Sequence, residues 1–537
     1  MHGSAIDRVC VFVAALGIAA LTLRRWASLG PYPPGLDGAQ WLAIGRGFHG
    51  LDRSTEGAYA PLVPLLATVL ESDLGPLPAL RLLATLSCLA LSLAIWIVAR
   101  ATLGARWGLA AAAILLPATA LAEPLFYGGY PQELALAAGA LALWLACRYL
   151  LGGLRRDLAL CAVFAIVAAA THHLYFPLVL TSIAVAAVAA LSPKSPHSLT
   201  PTPTAKGEGK HALIESAPLS RRDGRGAGGE GSWGDGGCSI ATRSQITSRI
   251  FSLAVALLPS IMLWGVVIAR FLSKGYVAPL EGSARSPSAA WQYGARESPQ
   301  LWSALLALAL VTLTVSWASR LRLAWLVSAG LIVPAGLAVL FTGQPRLLPP
   351  LLIGCVIAAV WGASRLAAAH GERSRAALAL ATAAIALTLF FPADRAVSDI
   401  DRFYQVLDPS LVGAAAAIQQ DGAPGAVVVR QDHRGWPIGW WFEALLARPI
   451  IVGSDPRWLG FPEERAHAAE ANELFDGQLD PATFARGAGV IDARYLVAIK
   501  WDWIGWDRWL RRPGFPVTVL YDDDHTIVLR IEPVPIS

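Results

Sequence analysis

The chain has 537 residues, of which 55% are hydrophobic and only 15% charged, and its net charge is +5. Soluble domains carry about a quarter charged residues, so this composition excludes a water-soluble protein and points to a polytopic membrane protein. The basic residues sit at the ends of apolar runs and gather on no face, which excludes a nucleic-acid footprint.

A first apolar run over 9–29 lacks a small-residue cleavage site and reads as a retained membrane helix. Arg24 and Arg25 near its far end can snorkel to the interface. The polar stretch 30–78 follows, opened by Gly30-Pro31-Tyr32-Pro33-Pro34-Gly35-Leu36-Asp37-Gly38. Its prolines and glycines bring the chain out of the helix. Asp37, with Gln40 three residues on, stands where a new helix starts. Asp37 is then either an N-cap for free backbone N–H groups or a carboxylate placed at the membrane surface for chemistry. Within this stretch, 60–70 is too short and Pro-rich to span and reads as an interfacial or re-entrant helix.

Further apolar runs cover 79–99, 108–122, 134–151, 158–171, 174–191, 250–271, 301–319, 323–341, 347–369 and 376–391. By length they predict about eleven membrane helices in a transmembrane domain over 1–392. Five cysteines, Cys10, Cys88, Cys147, Cys161 and Cys355, fall inside such runs as small hydrophobes, and no CxxC or Cys/His spacing points to disulfides or zinc.

Lysines and arginines set the orientation. With the N-terminus in the cytoplasm, the inner connections hold Arg100 and Arg106; Arg148, Arg155 and Arg156; Arg320 and Arg322; and Arg365, Arg373 and Arg375. The inner loop 192–249 is rich in Ser, Pro and Gly, carries Cys238, and is expected to be disordered. An odd helix count leaves 393–537 outside. That segment changes to soluble composition, with strands expected at 427–429, 450–452, 495–499 and 526–529 and helices at 463–475 and 481–487. The run Asp522-Asp523-Asp524-His525 reads as a hairpin turn. The fold class is therefore an α-helical polytopic membrane protein with a C-terminal extracytoplasmic α/β domain.

This topology gathers one set of polar residues on the outer face. The first connection holds Asp37, Asp52 and Glu56; the second runs from Glu123 to Glu133; the third holds His172 and His173; the fourth includes Glu281; the fifth is Gly343-Gln344-Pro345-Arg346. A carboxylate here can serve as general base on an acceptor hydroxyl, and Arg346 can neutralise a leaving phosphate. A divalent metal held by Asp, Glu or His is a further possibility. Each residue also has a plain structural role open to it. Glu123 and Glu133 can mark interface ends, the His pair a helix end, Arg346 an interface anchor and Glu281 a solvated loop.

Gly35-Leu36-Asp37-Gly38 after the first helix, the following Tyr59-Ala60-Pro61-Leu62-Val63-Pro64-Leu65-Leu66 and the acidic second loop resemble the GT-C superfamily of polytopic glycosyltransferases. That superfamily includes protein mannosyltransferases, aminoarabinose transferases and oligosaccharyltransferase catalytic subunits. The resemblance implies that Asp37 is the catalytic carboxylate, with Glu133 or Glu123 as the second-loop acid. It implies a polyprenyl-phosphate sugar donor whose phosphate meets Arg346, with a glycan, lipid or protein as acceptor; His172, His173, Tyr59 and Glu281 are further candidate substrate-binding residues. Trp436-Pro437-Ile438-Gly439-Trp440-Trp441, followed by Ala447-Arg448-Pro449, is similar to the aromatic acceptor motif of oligosaccharyltransferases, with Pro437 in place of its Asp. The expected activity is sugar transfer on the extracytoplasmic face. A lipid-linked glycan transporter or flippase and a membrane scaffold are the rivals; a transporter would carry charges inside its helices, whereas these charges lie near helix ends.

The orientation has a direct check. Cys238 is expected to react with a membrane-impermeant maleimide only after cells are permeabilised; labelling of intact cells would reverse the topology and move the acidic loops to the inner face.

Overall fold

The computed structural model describes residues 5–47, 59–192, 242–276, 286–319, 322–370, 372–446, 448–476, 479–507 and 512–532. Asp52, Glu56, Glu281, Cys238 and nearly all of the loop 192–249 lie outside the described residues.

Each expected apolar run is helical, but not every helix can cross a bilayer alone. Among the described residues, seven are long and apolar enough, or up to nine if two bent pairs each count as one span. The expectation of eleven is corrected by length. Arg155–Thr171 and Tyr175–Leu191 have 17 residues each, about 25 Å at the rise of an α-helix against about 30 Å of hydrocarbon. The run over 108–122 is split into Ala105–Leu115 and Thr119–Tyr127, bent by 55°. Pro287–Gly294 meets Pro299–Val315 at 110°, so the first of these lies across the second's end.

The bundle packs through small residues, since lipid supplies no hydrophobic drive between helices. Gly139 faces Val179, Gly330 approaches the Ser182 carbonyl and Leu143, and Gly354 meets Leu331 and Ile332. Large side chains such as Phe251, Met262, Leu380 and Phe391 point outward, where lipid tails meet them.

The helix Glu372–Tyr404 runs unbroken through Pro392, so the expected boundary at 392 falls within a helix. Beyond it lies a five-stranded sheet of β1 (Ala426–Val429), β2 (Ile450–Val452), β3 (Ala493–Ile499), β4 (Val517–Asp522) and β5 (Thr526–Ile531), in the order β2-β1-β3-β5-β4. The β1 pairings with β2 and β3 are parallel; those of β3 with β5 and of β5 with β4 are antiparallel. The hairpin turn is as expected. Asp523 accepts from the backbone N–H groups of His525 and Thr526 and from Ser410 and Tyr521, which consumes it structurally.

Strand alternation sends the two faces of this sheet to different partners. Val428, Leu496 and Leu529 pack with Ala471, Leu474 and Phe484 of the helices Pro462–Leu474 and Pro481–Val490. Val427, Val429, Tyr495 and Val528 join a core that also contains Leu36, Ala39, Leu42, Val63, Leu80 and Leu83. The C-terminal domain therefore shares one hydrophobic core with the first loop and the end of a membrane helix.

Arg46 fastens that junction. It ends the helix Asp37–Gly47, pairs with Glu71, and donates at 2.7 Å each to the carbonyls of Glu443 and Ala444, the last turn of the outer helix Gly439–Leu445. A guanidinium suits the partial negative charge of a helix C-terminus. Trp441 is fully buried beside it and donates to the Gly35 carbonyl at 2.9 Å. Arg46→Ala strands a half-buried carboxylate and two carbonyls, so a loss of about 3 kcal/mol is expected, read as a clear fall in melting temperature. Glu71→Ala added to it should cost little more.

Candidate functional site at the junction

The first loop and the second outer loop meet backbone to backbone. Gly35 and Gly128 both have positive φ, +90° and +94°. A Cβ on Gly35 would lie 2.4 Å from the Tyr127 carbonyl carbon, and one on Gly128 would lie 2.2 Å from the Gly38 nitrogen. Only glycine fits both demands. This contact explains why glycines flank Asp37. It fixes the start of the helix Asp37–Gly47, and Trp41 secures it by donating to the Gly128 carbonyl at 2.6 Å.

Asp37, Gln40 and Trp41 occupy positions i, i+3 and i+4 of that helix and so share a face. They line a cavity of about 490 Å³ between the ends of the membrane helices and the outer domain. Asp37 is the first residue of the helix, and among the described residues its carboxylate makes no cap bond; its side chain is turned to the cavity instead. Burial pushes its carboxyl up to about 6, with the Arg346 guanidinium pulling the other way.

Arg346 reaches the same cavity from the 3-10 turn Pro345–Leu347. Its carbonyl accepts from Tyr175 and from Gln132, whose other side-chain atom accepts from Tyr127. Its backbone is thus held, while among the described residues its guanidinium has no ion-pair partner. Its charge is felt by Asp37, by both histidines and by Tyr276. His172 and His173 stack at 5.2 Å in the cavity wall. Burial and the nearby Arg346 hold both imidazoles neutral, His173 at about 4. His172 Nδ1 accepts the Leu174 N–H, so it is partly occupied with closing its own turn.

The second-loop acids divide. Glu123 borders the cavity, but Arg296 pairs with it at 3.1 Å, Tyr293 donates to it at 2.5 Å and Tyr404 approaches at 3.5 Å. It ties three helices together. Glu133 is 1% exposed and is not part of the cavity wall. It faces into the bundle, near Ser87 and the buried Arg25. The structure therefore brings Asp37, Arg346, His172, His173 and Tyr59 together, leaves Glu123 at the rim in structural bonds, and places Glu133 behind the wall.

Trp436, Pro437 and Trp440 contribute to the cavity from the outer domain. Trp436 stacks on Tyr404 at 5.8 Å and beneath Arg434 at 3.5 Å, and Arg434 is itself paired with Asp432. Pro437 offers the cavity no charge. Sequence reading missed Gln132, Tyr276, Trp458 and Glu464, all of which line the same space. Glu464 sits in an ordinary capping position of a helix start, and only the fold turns that helix end toward Asp37. No group of three His, Cys, Asp or Glu side chains able to hold a metal ion occurs among the described residues.

No family model matches the chain, and no curated protein matches it by sequence. Solved structures do. The arabinofuranosyltransferase AftD from Mycobacteria superposes with a TM-score of 0.59 at 14% identity, over 96% of this chain and 40% of AftD. ArnT from Cupriavidus metallidurans gives 0.55 at 14% identity, over 96% of this chain and 97% of ArnT; it has also been solved with undecaprenyl phosphate bound. The archaeal oligosaccharyltransferase AglB from Archaeoglobus fulgidus, in complex with an inhibitory peptide and a dolichol-phosphate, gives 0.56 at 11% identity, over 92% of this chain and 69% of AglB. The chain spans less than half the length of AftD. The chain shares its fold with these three membrane proteins.

The raised Asp37 carboxyl predicts a pH-dependent stability. A folded value near 6 above the ordinary carboxylate range means the native state binds the proton more tightly than the unfolded chain. Stability from this group is therefore present at low pH and lost as pH rises from about 4 to about 6. Asp37→Asn should melt above wild type at pH 8, and the difference should vanish below about pH 4. An equal difference at all pH values would mean that the Asp37 carboxyl titrates normally.

Proposed function

We propose that the protein is a membrane glycosyltransferase that moves a sugar from a polyprenyl-phosphate carrier to an acceptor hydroxyl on the extracytoplasmic face. The observation that carries this reading is a carboxylate and a guanidinium, Asp37 and Arg346, facing one cavity where apolar helices meet the outer domain. The fold shared with AftD, ArnT and AglB supports it, as does the binding of polyprenyl phosphates by the latter two. The placement of lysines and arginines supports the external side.

In this reading the carrier's isoprenoid tail lies along the lipid-facing helices and its phosphate meets Arg346. Asp37 takes the proton from the acceptor hydroxyl as the acceptor oxygen forms its bond to the anomeric carbon. The bond from that carbon to the phosphate oxygen breaks, and the electron pair leaves with the phosphate. Arg346 offsets the charge that develops there. The neutral His172 and His173 add hydrogen-bonding atoms beside the phosphate without competing for its charge. Tyr59, whose hydroxyl pairs with Gln40, holds the Asp37 helix on the face that lines the cavity.

Asp37→Asn keeps size and removes the base. Sugar transfer from a polyprenyl-phosphate donor by the purified protein should fall by roughly 10²–10⁴-fold, with expression and carrier binding retained. In wild type, kcat/KM should rise with pH through a limb near 6 as Asp37 ionises. Turnover by Asp37→Asn near that of wild type would remove Asp37 from the reaction.

A further inference from the structure

The wall of the cavity contributed by the outer domain carries a carboxylate that the transfer step above does not use. Glu464 lies in the first turn of the helix Pro462–Leu474, half-buried, and lines the same space as Asp37 and Arg346. One of its oxygens accepts the Phe461 N–H at 3.2 Å, which fixes the side chain as a helix cap. No salt bridge to Glu464 occurs among the described residues; Glu443 acts on it as a like charge and Arg465 as an opposite one. Both Glu464 and Asp37 act electrostatically on Tyr59 and Tyr276, and all four line the cavity.

Aromatic rings surround it. Tyr59, Tyr276, Phe271 and Phe461 pack edge to face or tilted with centroids 4.6–5.9 Å apart. Gly460 presses against Tyr276 so closely that a Cβ there would lie 2.4 Å from the ring. These contacts join the outer domain, the first loop and the end of the helix Arg243–Ser273 at one corner of the cavity. Trp440 and Trp458 line the cavity from the outer domain. Arg346, by contrast, stands with the histidines and Gln132. The cavity thus has an end with Arg346 and the histidines and, adjoining it where His173 packs on Phe271 at 4.3 Å, an aromatic end that carries a second carboxylate.

We infer that the aromatic end is the acceptor subsite, that Glu464 together with Tyr59 and Tyr276 binds it, and that the acceptor is a neutral saccharide. Ring faces take the C–H face of a sugar, and a fixed carboxylate oxygen accepts from its hydroxyls in charge-assisted hydrogen bonds. An acceptor carrying phosphate or carboxylate would meet Asp37 and Glu464 together and be disfavoured by like charge. Glu464 then holds one hydroxyl of the acceptor while another is presented to Asp37. This assignment rests on the transferase reading, and its test is separable from the test of that reading.

The full chain in lipid nanodiscs is applied at pH 8 to an array of defined glycans that includes neutral, amino, phosphorylated, sulfated and carboxylated members. Wild type should bind neutral glycans. Glu464→Gln, which keeps the cap to Phe461, should lose at least about tenfold, the scale of one charge-assisted hydrogen bond. Stabilisation of the same variant by undecaprenyl phosphate, read as a melting shift, should equal that of wild type. Should Glu464→Gln not fold, Tyr276→Leu is expected to show the same loss. Binding confined to charged or amino glycans, no binding to any glycan, or neutral-glycan binding untouched by these substitutions would each overturn the subsite. Absence of any shift with undecaprenyl phosphate would instead count against the transferase reading.

Discussion

The site depends on a backbone contact that leaves no room for a side chain. Gly35 and Gly38 of the first loop lie directly against Tyr127 and Gly128 of the second. Two loops separated by the span Pro76–Leu103 and the bent helix pair after it are thereby locked at main-chain distance, and the Asp37 helix starts from that lock. Everything that faces the cavity is referred to it: Trp41 binds the Gly128 carbonyl, Trp441 binds the Gly35 carbonyl, and Arg46 at the other end of the same helix holds the outer domain. A larger residue in this contact would move the Asp37 carboxylate, the aromatic wall and the domain junction together.

The acidic residues of the outer face are sorted by partners rather than by position in the chain. Glu123 is consumed by Arg296 and Tyr293, Glu297 by the Thr119 N–H and the Trp302 indole, and Asp432 by Arg434 and two backbone N–H groups. A buried carboxylate with such partners is neutralised and serves the fold. Asp37 and Glu464 lack a comparable cation at contact distance and both are pushed upward, to about 6 and about 7. Groups left in this state cost stability, and they are where proton transfer and substrate contact are found most often.

Much of this was legible from residue patterns. Each expected apolar run is helical among the described residues, though not each is a span, and alternation with β-branched residues located four of the five strands. Gly-Leu-Asp-Gly after the first helix pointed to Asp37, and the Arg after Gly-Gln-Pro pointed to Arg346. Other parts were not legible because they depend on three-dimensional partners. Glu133 opens a helix next to Pro131 and Gln132, which do reach the cavity, yet its own position on the helix turns it inward. Run length could not tell a 17-residue helix inside a bundle from a full span, because helices packed within protein need not meet lipid along their whole length. Glu464 is one of two adjacent glutamates at a helix start, a pattern common enough to carry no functional signal, and only the sheet's shared core with the first loop brings it to the cavity.

That shared core also bears on how the molecule can work. A carrier that alternates its access must move one part of its bundle against another around the bound substrate. Here the walls of the cavity belong to elements fused by buried contacts. Leu36, Val63 and Leu83 pack with Val427 and Tyr495 of the sheet, and Arg46 spans the seam with bonds to both sides. Opening that seam would expose the aromatic core and strand the Glu71 carboxylate. A fixed cavity instead serves a reaction in which a charged leaving group and a nucleophile must be held in register with water largely excluded. In the proposed reaction, the same low-polarity surroundings that raise Asp37 would strengthen the pull of Arg346 on an incoming phosphate. Binding of that phosphate partly screens Arg346 from Asp37 and so raises the basicity of the carboxylate further. Donor binding and base strength are then coupled through a single guanidinium, which makes the loaded site a better base than the empty one.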